Sequence, residues 1–190
     1  METAEPEEQP GFGFNIPKKE IVSWAMFDFA NSSYVTVVST TIFNAYFIGT
    51  VASSLGTAKA TLYLTTCIAV SNLLVVITAP VIGAIADMTA SKKRMLMVTS
   101  FLLVISVILL GFVSPGGILF AMVVLGVANL MYGTGEDLIA AFLPEIANQD
   151  NMGRVSAIGW TIGYLGGLGV LAACLGYIKW AESIGQTAVQ

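Results

Sequence analysis

Five long apolar runs, joined by short polar connections, constrain this chain more than any other feature. They cover residues 21–48, 61–86, 95–113, 118–142 and 155–178. A helix needs roughly 20 apolar residues to cross a bilayer, and each run supplies about that length or more. The second, third and fifth carry no charge; the first holds Asp28, and the fourth Glu136 and Asp137. Strands of a membrane β-barrel would be shorter and would alternate apolar with polar residues. These runs do not. The sequence therefore reads as all-α, a polytopic membrane helical bundle of five transmembrane helices.

Composition enters as a check on that reading. The 190 residues are 56% hydrophobic and 11% charged, with mean hydropathy +0.81, whereas a soluble domain is about a quarter charged. A soluble core of this size could not hide so much apolar surface. The net charge of −4 says little, because Glu2, Glu5, Glu7 and Glu8 lie together in an N-terminal tail. That tail, residues 1–20, reads as cytoplasmic and disordered. Residues 179–190 form a polar C-terminal segment too short to span again.

Several function classes fall away. There is no His, which removes His catalytic dyads, His metal sites and His proton relays. Cys67 and Cys174 lie far apart inside apolar runs and read as packing residues. No metal and no cofactor is expected. The bases form no stripe of the kind that binds nucleic acid. No Ser or acid stands with a recognisable base, so an enzyme is not expected.

The connections 49–60, 87–94, 114–117 and 143–154 are short, and the third reads Ser114-Pro115-Gly116-Gly117. Such links set successive spans antiparallel and side by side. Lys18, Lys19, Lys92, Lys93, Arg94 and Arg154 then fall on one side of the membrane, and Lys59 and Lys179 on the other. Six bases against two put the N-terminus in the cytoplasm. The first run is too long for a signal peptide and contains an acid. The chain is expected to be an integral, multi-pass protein of the plasma membrane, or of the vacuolar membrane in a fungus.

Asp28 is the sharpest candidate for chemistry. It lies about two turns into the first span, where a charge costs at least ~2.5 kcal/mol. It must therefore face a polar cavity or a partner, or carry a proton. Asn31, Ser32 and Ser39 share its side of the helix. One reading makes Asp28 a proton or cation site with Asn31 and Asn129 as neutral hydrogen-bonding partners. The other makes it a structural residue that locks helix 1 to a neighbour. Glu136 and Asp137 point about 100° apart, so at most one faces a cavity squarely; the pair could instead cap the span at the interface. Gly159 and Gly163 form a face that permits close helix contact. Trp24 reads as an interfacial anchor, and Pro80 as the site of a kink.

Gly83-Ala84-Ile85-Ala86-Asp87, followed by Lys92-Lys93-Arg94, resembles the signature loop between helices 2 and 3 of the major facilitator superfamily. Here Met88 stands where a basic residue is usual, and Ala90 where a Gly is usual. The segment Ser23-Trp24-Ala25-Met26-Phe27-Asp28-Phe29-Ala30-Asn31-Ser32-Ser33-Tyr34 resembles the first-helix signature of that family's vacuolar-effluxer-like branch, related to the autophagy-associated vacuole permease. So do Phe142-Leu143-Pro144-Glu145-Ile146-Ala147 after helix 4, and Gly153-Arg154-Val155-Ser156, Gly159-Trp160 and Gly163-Tyr164-Leu165-Gly166-Gly167 at helix 5.

The resemblance implies a secondary active permease that works by alternating access, with two six-helix halves and helices 1 and 4 lining a central cavity. It implies a substrate or proton site among Asp28, Asn31, Asn129, Glu136 and Asp137. It makes Gly83, Asp87, Lys92, Lys93 and Arg94 a gating loop. The solute would be small and polar, such as an amino acid, with proton coupling through a buried acid. Five helices are present where twelve are implied. The chain is thus expected to be the N-terminal portion of the fold, to need a missing C-terminal half or a second subunit, and not to transport alone. The alternative is a non-transporting membrane partner or assembly module.

Overall fold

The computed structural model describes residues 18–185. The tail expected to be disordered lies, up to residue 17, outside the described residues, as do residues 186–190. Among the described residues there are helices and turns and no strand. Helix α1 (Lys18–Ser33) passes into a widened turn over Tyr34–Ser39, and the chain resumes as α2 (Ile42–Tyr46), with a second widened turn over Phe47–Val51. Then come α3 (Thr57–Met88), α4 (Lys92–Leu110), α5 (Ile118–Ala140), the short α6 (Leu143–Ile146) and α7 (Met152–Ser183). Five segments are long and apolar enough to span: Lys19–Val51, Thr57–Met88, Lys92–Leu110, Ile118–Ile146 and Met152–Ser183. In lipid each backbone polar group must be satisfied within the protein, and a helix does this inside one segment. Helices α3 and α7 have 32 residues each, about 48 Å at 1.5 Å per residue. That exceeds the ~30 Å hydrocarbon layer, so both tilt or project beyond it. Helix α7 runs five residues into the segment read as polar, because a helix does not stop where hydropathy falls.

The first span is the irregular one. Between Val35 and Ile42 nearly every residue is β-branched: Val35, Thr36, Val37, Val38, Thr40, Thr41 and Ile42. Such side chains crowd the preceding turn of a helix. Threonine also bonds back to carbonyls one turn earlier. Thr36 Oγ1 donates to Ser32 O at 3.0 Å, and Thr40 Oγ1 to Val35 O at 2.9 Å and Thr36 O at 3.1 Å. The Thr40 amide reaches five residues back to Val35 O at 3.0 Å, and Thr41 leaves helical geometry at φ −120°, ψ −84°.

Packing follows the small faces. Helix α1 lies along α7, α4 along α5, and α3 along α5. The short connections predict that sequence neighbours lie side by side. That holds for α4 and α5, but α3 packs chiefly on α5 rather than on α4. The turn between α3 and α4 fixes only one end of that pair. In this turn Ala90 adopts φ +48°, the left-handed region that glycine enters without a steric penalty. It occupies the position where the resemblance leads one to expect Gly.

Three apolar clusters stack through the bundle. One holds Ile21, Ile146, Ala147 and Val155. A central one holds Tyr34, Leu103 and Ala128. The third holds Phe47, Val51, Leu64, Leu110, Val113 and Leu125. At this last end Tyr46 Oη donates to Val113 O at 2.9 Å, and the Gly116 amide to Val51 O at 2.9 Å. The outer surface is apolar: Leu119, Phe112, Val76 and Phe101 are each about two-thirds exposed or more. A face of that size suits lipid or another helical bundle rather than water.

Candidate functional site

A cavity of about 210 Å³ opens between α1, α5 and α7. Its polar lining comes from Asp28, Ser32 and Thr36 on the first span and from Glu136 and Tyr132 on α5; Trp160 and Tyr164 on α7 form an aromatic wall. Helical periodicity explains the first set, because residues 28, 32 and 36 fall one turn apart. Tyr132 and Glu136 stand one turn apart on α5, as do Trp160 and Tyr164 on α7. Among the described residues two acids line the cavity and no Lys or Arg does.

Close approach of α7 builds the floor. A Cβ placed on Gly163 would lie 2.5 Å from Asp28 Oδ2 and 2.8 Å from Ser32 Oγ. One placed on Gly159 would overlap the Trp24 ring, and one on Gly166 the Phe29 carbonyl oxygen. Gly159, Gly163, Gly166 and Gly167 are all buried. The glycine face thus extends beyond the pair read from the sequence, and it presses the α7 backbone against Asp28.

The hydrogen bonds sort the candidate residues. Ser32 Oγ donates to Asp28 Oδ1 at 3.4 Å. The Asn31 amide donates to Glu136 Oε1, joining α1 to α5. Trp24 Nε1 donates to Ile139 O at 3.0 Å and ties the same two helices nearer their other end; it bridges helices rather than only anchoring at an interface. Asp28 and Glu136 share the lining of the cavity, and Asn31 is bonded to Glu136 beside it, so these three form one group. Tyr34 is buried with its ring packed at a tilt of 33° on Tyr132, centroids 5.2 Å apart.

Asn129 and Asp137 do not join that group. The Asn129 amide donates to Ser71 Oγ at 3.1 Å and Asn72 Oδ1 at 2.7 Å, a buried link between α3 and α5. Its place in the structure makes it a helix fastener. Interhelical hydrogen bonds of this kind contribute about 0.6 kcal/mol on average and up to about 1.7. Asn129→Ala is expected to lower unfolding stability by about 1 kcal/mol while leaving ligand affinity at the cavity unchanged. Denaturation in mixed micelles, beside a binding assay, checks both halves.

Asp137 is exposed and lines a separate cavity of about 110 Å³, together with Gly83, Asp87, Lys92 and Thr134. Of the two adjacent acids only Glu136 faces the larger cavity. At this end Lys92 Nζ lies 2.8 Å from Asp87 Oδ1 and 2.8 Å from Glu145 Oε1. The turn after α3 is thereby linked to α6. Lys93 and Arg94 are exposed and line neither cavity. The residues expected to form a gating loop thus divide into a part linked through Lys92 and an exposed basic part, Lys93 and Arg94.

Sequence reasoning missed Trp160 and Tyr164 as lining residues. Their signal was present: each directly follows a glycine of the packing face, at 159 and 163, and so lies at the edge of that contact.

Comparison with known proteins agrees with this architecture. Residues 3–170 match the sequence profile of the Major Facilitator Superfamily. Over 149 residues the chain is 30% identical to a protein of Bacillus subtilis (strain 168) described as the uncharacterized MFS-type transporter YxiO. That alignment takes in 78% of this chain and 35% of the relative, so the chain spans about a third of the relative's length. No solved structure gives a significant match. The profile covers all of the first four spans and most of the fifth, and the helices it covers include the three that line the acidic cavity. On these grounds the chain belongs to the Major Facilitator Superfamily.

Proposed function

We propose that this chain forms the helix 1 to helix 5 part of a solute permease that works by alternating access. The observation that carries the proposal is the cavity in an apolar bundle, lined by Asp28 and Glu136 on two different helices. Charges at such depth are costly and mark solute or proton paths. In this reading Asp28, Asn31 and Glu136 form this half's share of the central site. Proton coupling runs through one of the two acids, and the second wall comes from a C-terminal half or a second subunit. Gly83, Asp87 and the bases Lys92, Lys93 and Arg94 act as the gating turn against that wall. The solute is small and polar. The branch is the vacuolar-effluxer-like one, on the strength of the Ser23–Tyr34 and Gly153–Gly167 segments. The N-terminus is cytoplasmic, by the six-to-two split of bases, and the site of action is the plasma membrane.

Cysteine accessibility tests the mechanism and the topology together. In a background lacking Cys67 and Cys174, Lys59→Cys should react with an impermeant maleimide only from outside the cell, and Lys92→Cys only from inside. Thr36→Cys, on the cavity wall, should react from either side in the assembled permease, because each state opens the cavity to one face. Reaction of positions 59 and 92 from the same side would overturn the topology. Reaction of Thr36→Cys from one side only would overturn alternating access and favour a non-transporting partner.

A further inference from the structure

We propose that the cavity wall built by this chain binds an organic cation, an ammonium group carrying small apolar substituents. The inference rests on the permease reading and adds the chemical class of the solute. Three observations carry it: charge balance, the direction of the hydrogen bonds, and the aromatic wall.

Charge comes first. Asp28 and Glu136 line one cavity and, among the described residues, no base does. The structure offers an anion no counter-charge on this wall, and a zwitterion only half of what it needs. A cation meets both carboxylates.

The hydrogen bonds point the same way. Ser32 spends its hydroxyl proton on Asp28, Thr36 donates to the Ser32 carbonyl, and Asn31 donates to Glu136. These three donors are turned toward the protein, which leaves the Tyr132 and Tyr164 hydroxyls and the Trp160 indole N–H as the donors of the lining. A carboxylate has about four acceptor positions, and one neighbour on each leaves the rest for a ligand. Both carboxylates of the lining thus keep acceptor positions open, which suits a ligand that brings positive charge.

The aromatic wall decides between an inorganic cation and an organic one. Trp160 and Tyr164 are 63% and 65% exposed, their ring centroids are 6.2 Å apart, and Tyr132 of α5 also lines the cavity. Exposed indole and phenol rings beside carboxylates attract a cation through their faces. This attraction favours alkylated ammonium groups, which shed water easily. Among the described residues no three acid, Cys or His side chains come together as they would to hold a metal ion. The volume of about 210 Å³ equals about seven waters at ~30 Å³ each. That is room for a choline-sized group.

The test uses choline as the probe. Its neutral isostere 3,3-dimethylbutan-1-ol has the same shape without the charge. Tritiated choline binding is measured by equilibrium dialysis on the protein in nanodiscs. Choline should bind saturably, and a hundredfold excess of the isostere or of succinate should not displace it. Glu136→Gln and Trp160→Ala should each weaken binding at least tenfold. Because Trp160 is exposed, Trp160→Ala should keep wild-type helicity and melting temperature, so a loss of binding there cannot be a loss of fold. Absence of choline binding, equal competition by the isostere, or unchanged affinity in both variants each overturns the proposal. Binding is read without transport, so the two readings fail separately. If this chain binds choline but the assembly with its second half moves no solute, the permease is refuted and the site stands. A protein that carries a neutral or anionic solute and ignores choline refutes the site and leaves the permease.

Discussion

Asp28→Asn is expected to reduce uptake by the assembled permease about tenfold or more, and to abolish any response of uptake to pH across the neutral range. The size follows from the geometry. Asp28 lines the cavity and receives one long hydrogen bond, from Ser32 at 3.4 Å. Hydrogen bonds to a charged group are worth about 1.5–3 kcal/mol, and about 1.4 kcal/mol is already a factor of ten in rate. The amide keeps the shape of the side chain and can still accept from Ser32, so expression and thermal stability should stay near wild type. It cannot alternate between two charge states, so a proton-linked gradient loses its handle. Glu136→Gln is the companion measurement. Its bond from Asn31 survives as an amide acceptor, so it tests charge rather than packing. If Asp28→Asn transports at the wild-type rate and with the wild-type pH profile, Asp28 is a structural fastener of helix 1. If the variant fails to insert, the ionised or protonated carboxyl is needed for assembly.

The apolar runs made the helix count legible, because lipid admits few alternatives to a helix. Asp28 and Glu136 were legible for the same reason: a charge in an otherwise uncharged span must have somewhere to face. Their partners were harder to read. The sequence offered Asn31 as a neighbour of Asp28 on the same helix face, yet the Asn31 amide reaches across to Glu136. Asn129 sits on the α5 face turned to α3. Which face of α5 meets which helix depends on helix rotation and on the order of packing, and one periodic pattern does not encode these. The same limit hid the pairing of α3 with α5. The break in the first span carried a local signal, the β-branched stretch from Val35 to Ile42. Apolar length alone made it look continuous.

Among single substitutions in the α7 glycine face, Gly166→Ala is expected to destabilise the protein most. The added methyl would meet the Phe29 backbone carbonyl, and a backbone atom cannot rotate out of the way. The two helices must separate, which also opens the floor of the cavity at Asp28. Overpacking of this kind costs about 1–3 kcal/mol. The other positions grade downward by what they meet. Gly159→Ala strikes the Trp24 ring, which is held by its bond to Ile139 O. Gly163→Ala strikes the ends of Asp28 and Ser32, and Gly167→Ala meets Thr36 Oγ1 at 2.5 Å, a hydroxyl that can turn. Gly169 supplies the control, for a Cβ there has nothing within 4 Å. Gly169→Ala should be neutral, or more stable by about 0.5–1 kcal/mol because alanine favours the helix. Thermal unfolding in detergent, followed by far-ultraviolet dichroism, ranks the series. If Gly166→Ala melts with Gly169→Ala, then α1 and α7 are not in the contact that shapes the acidic cavity, and the argument for Asp28 at its floor falls with it.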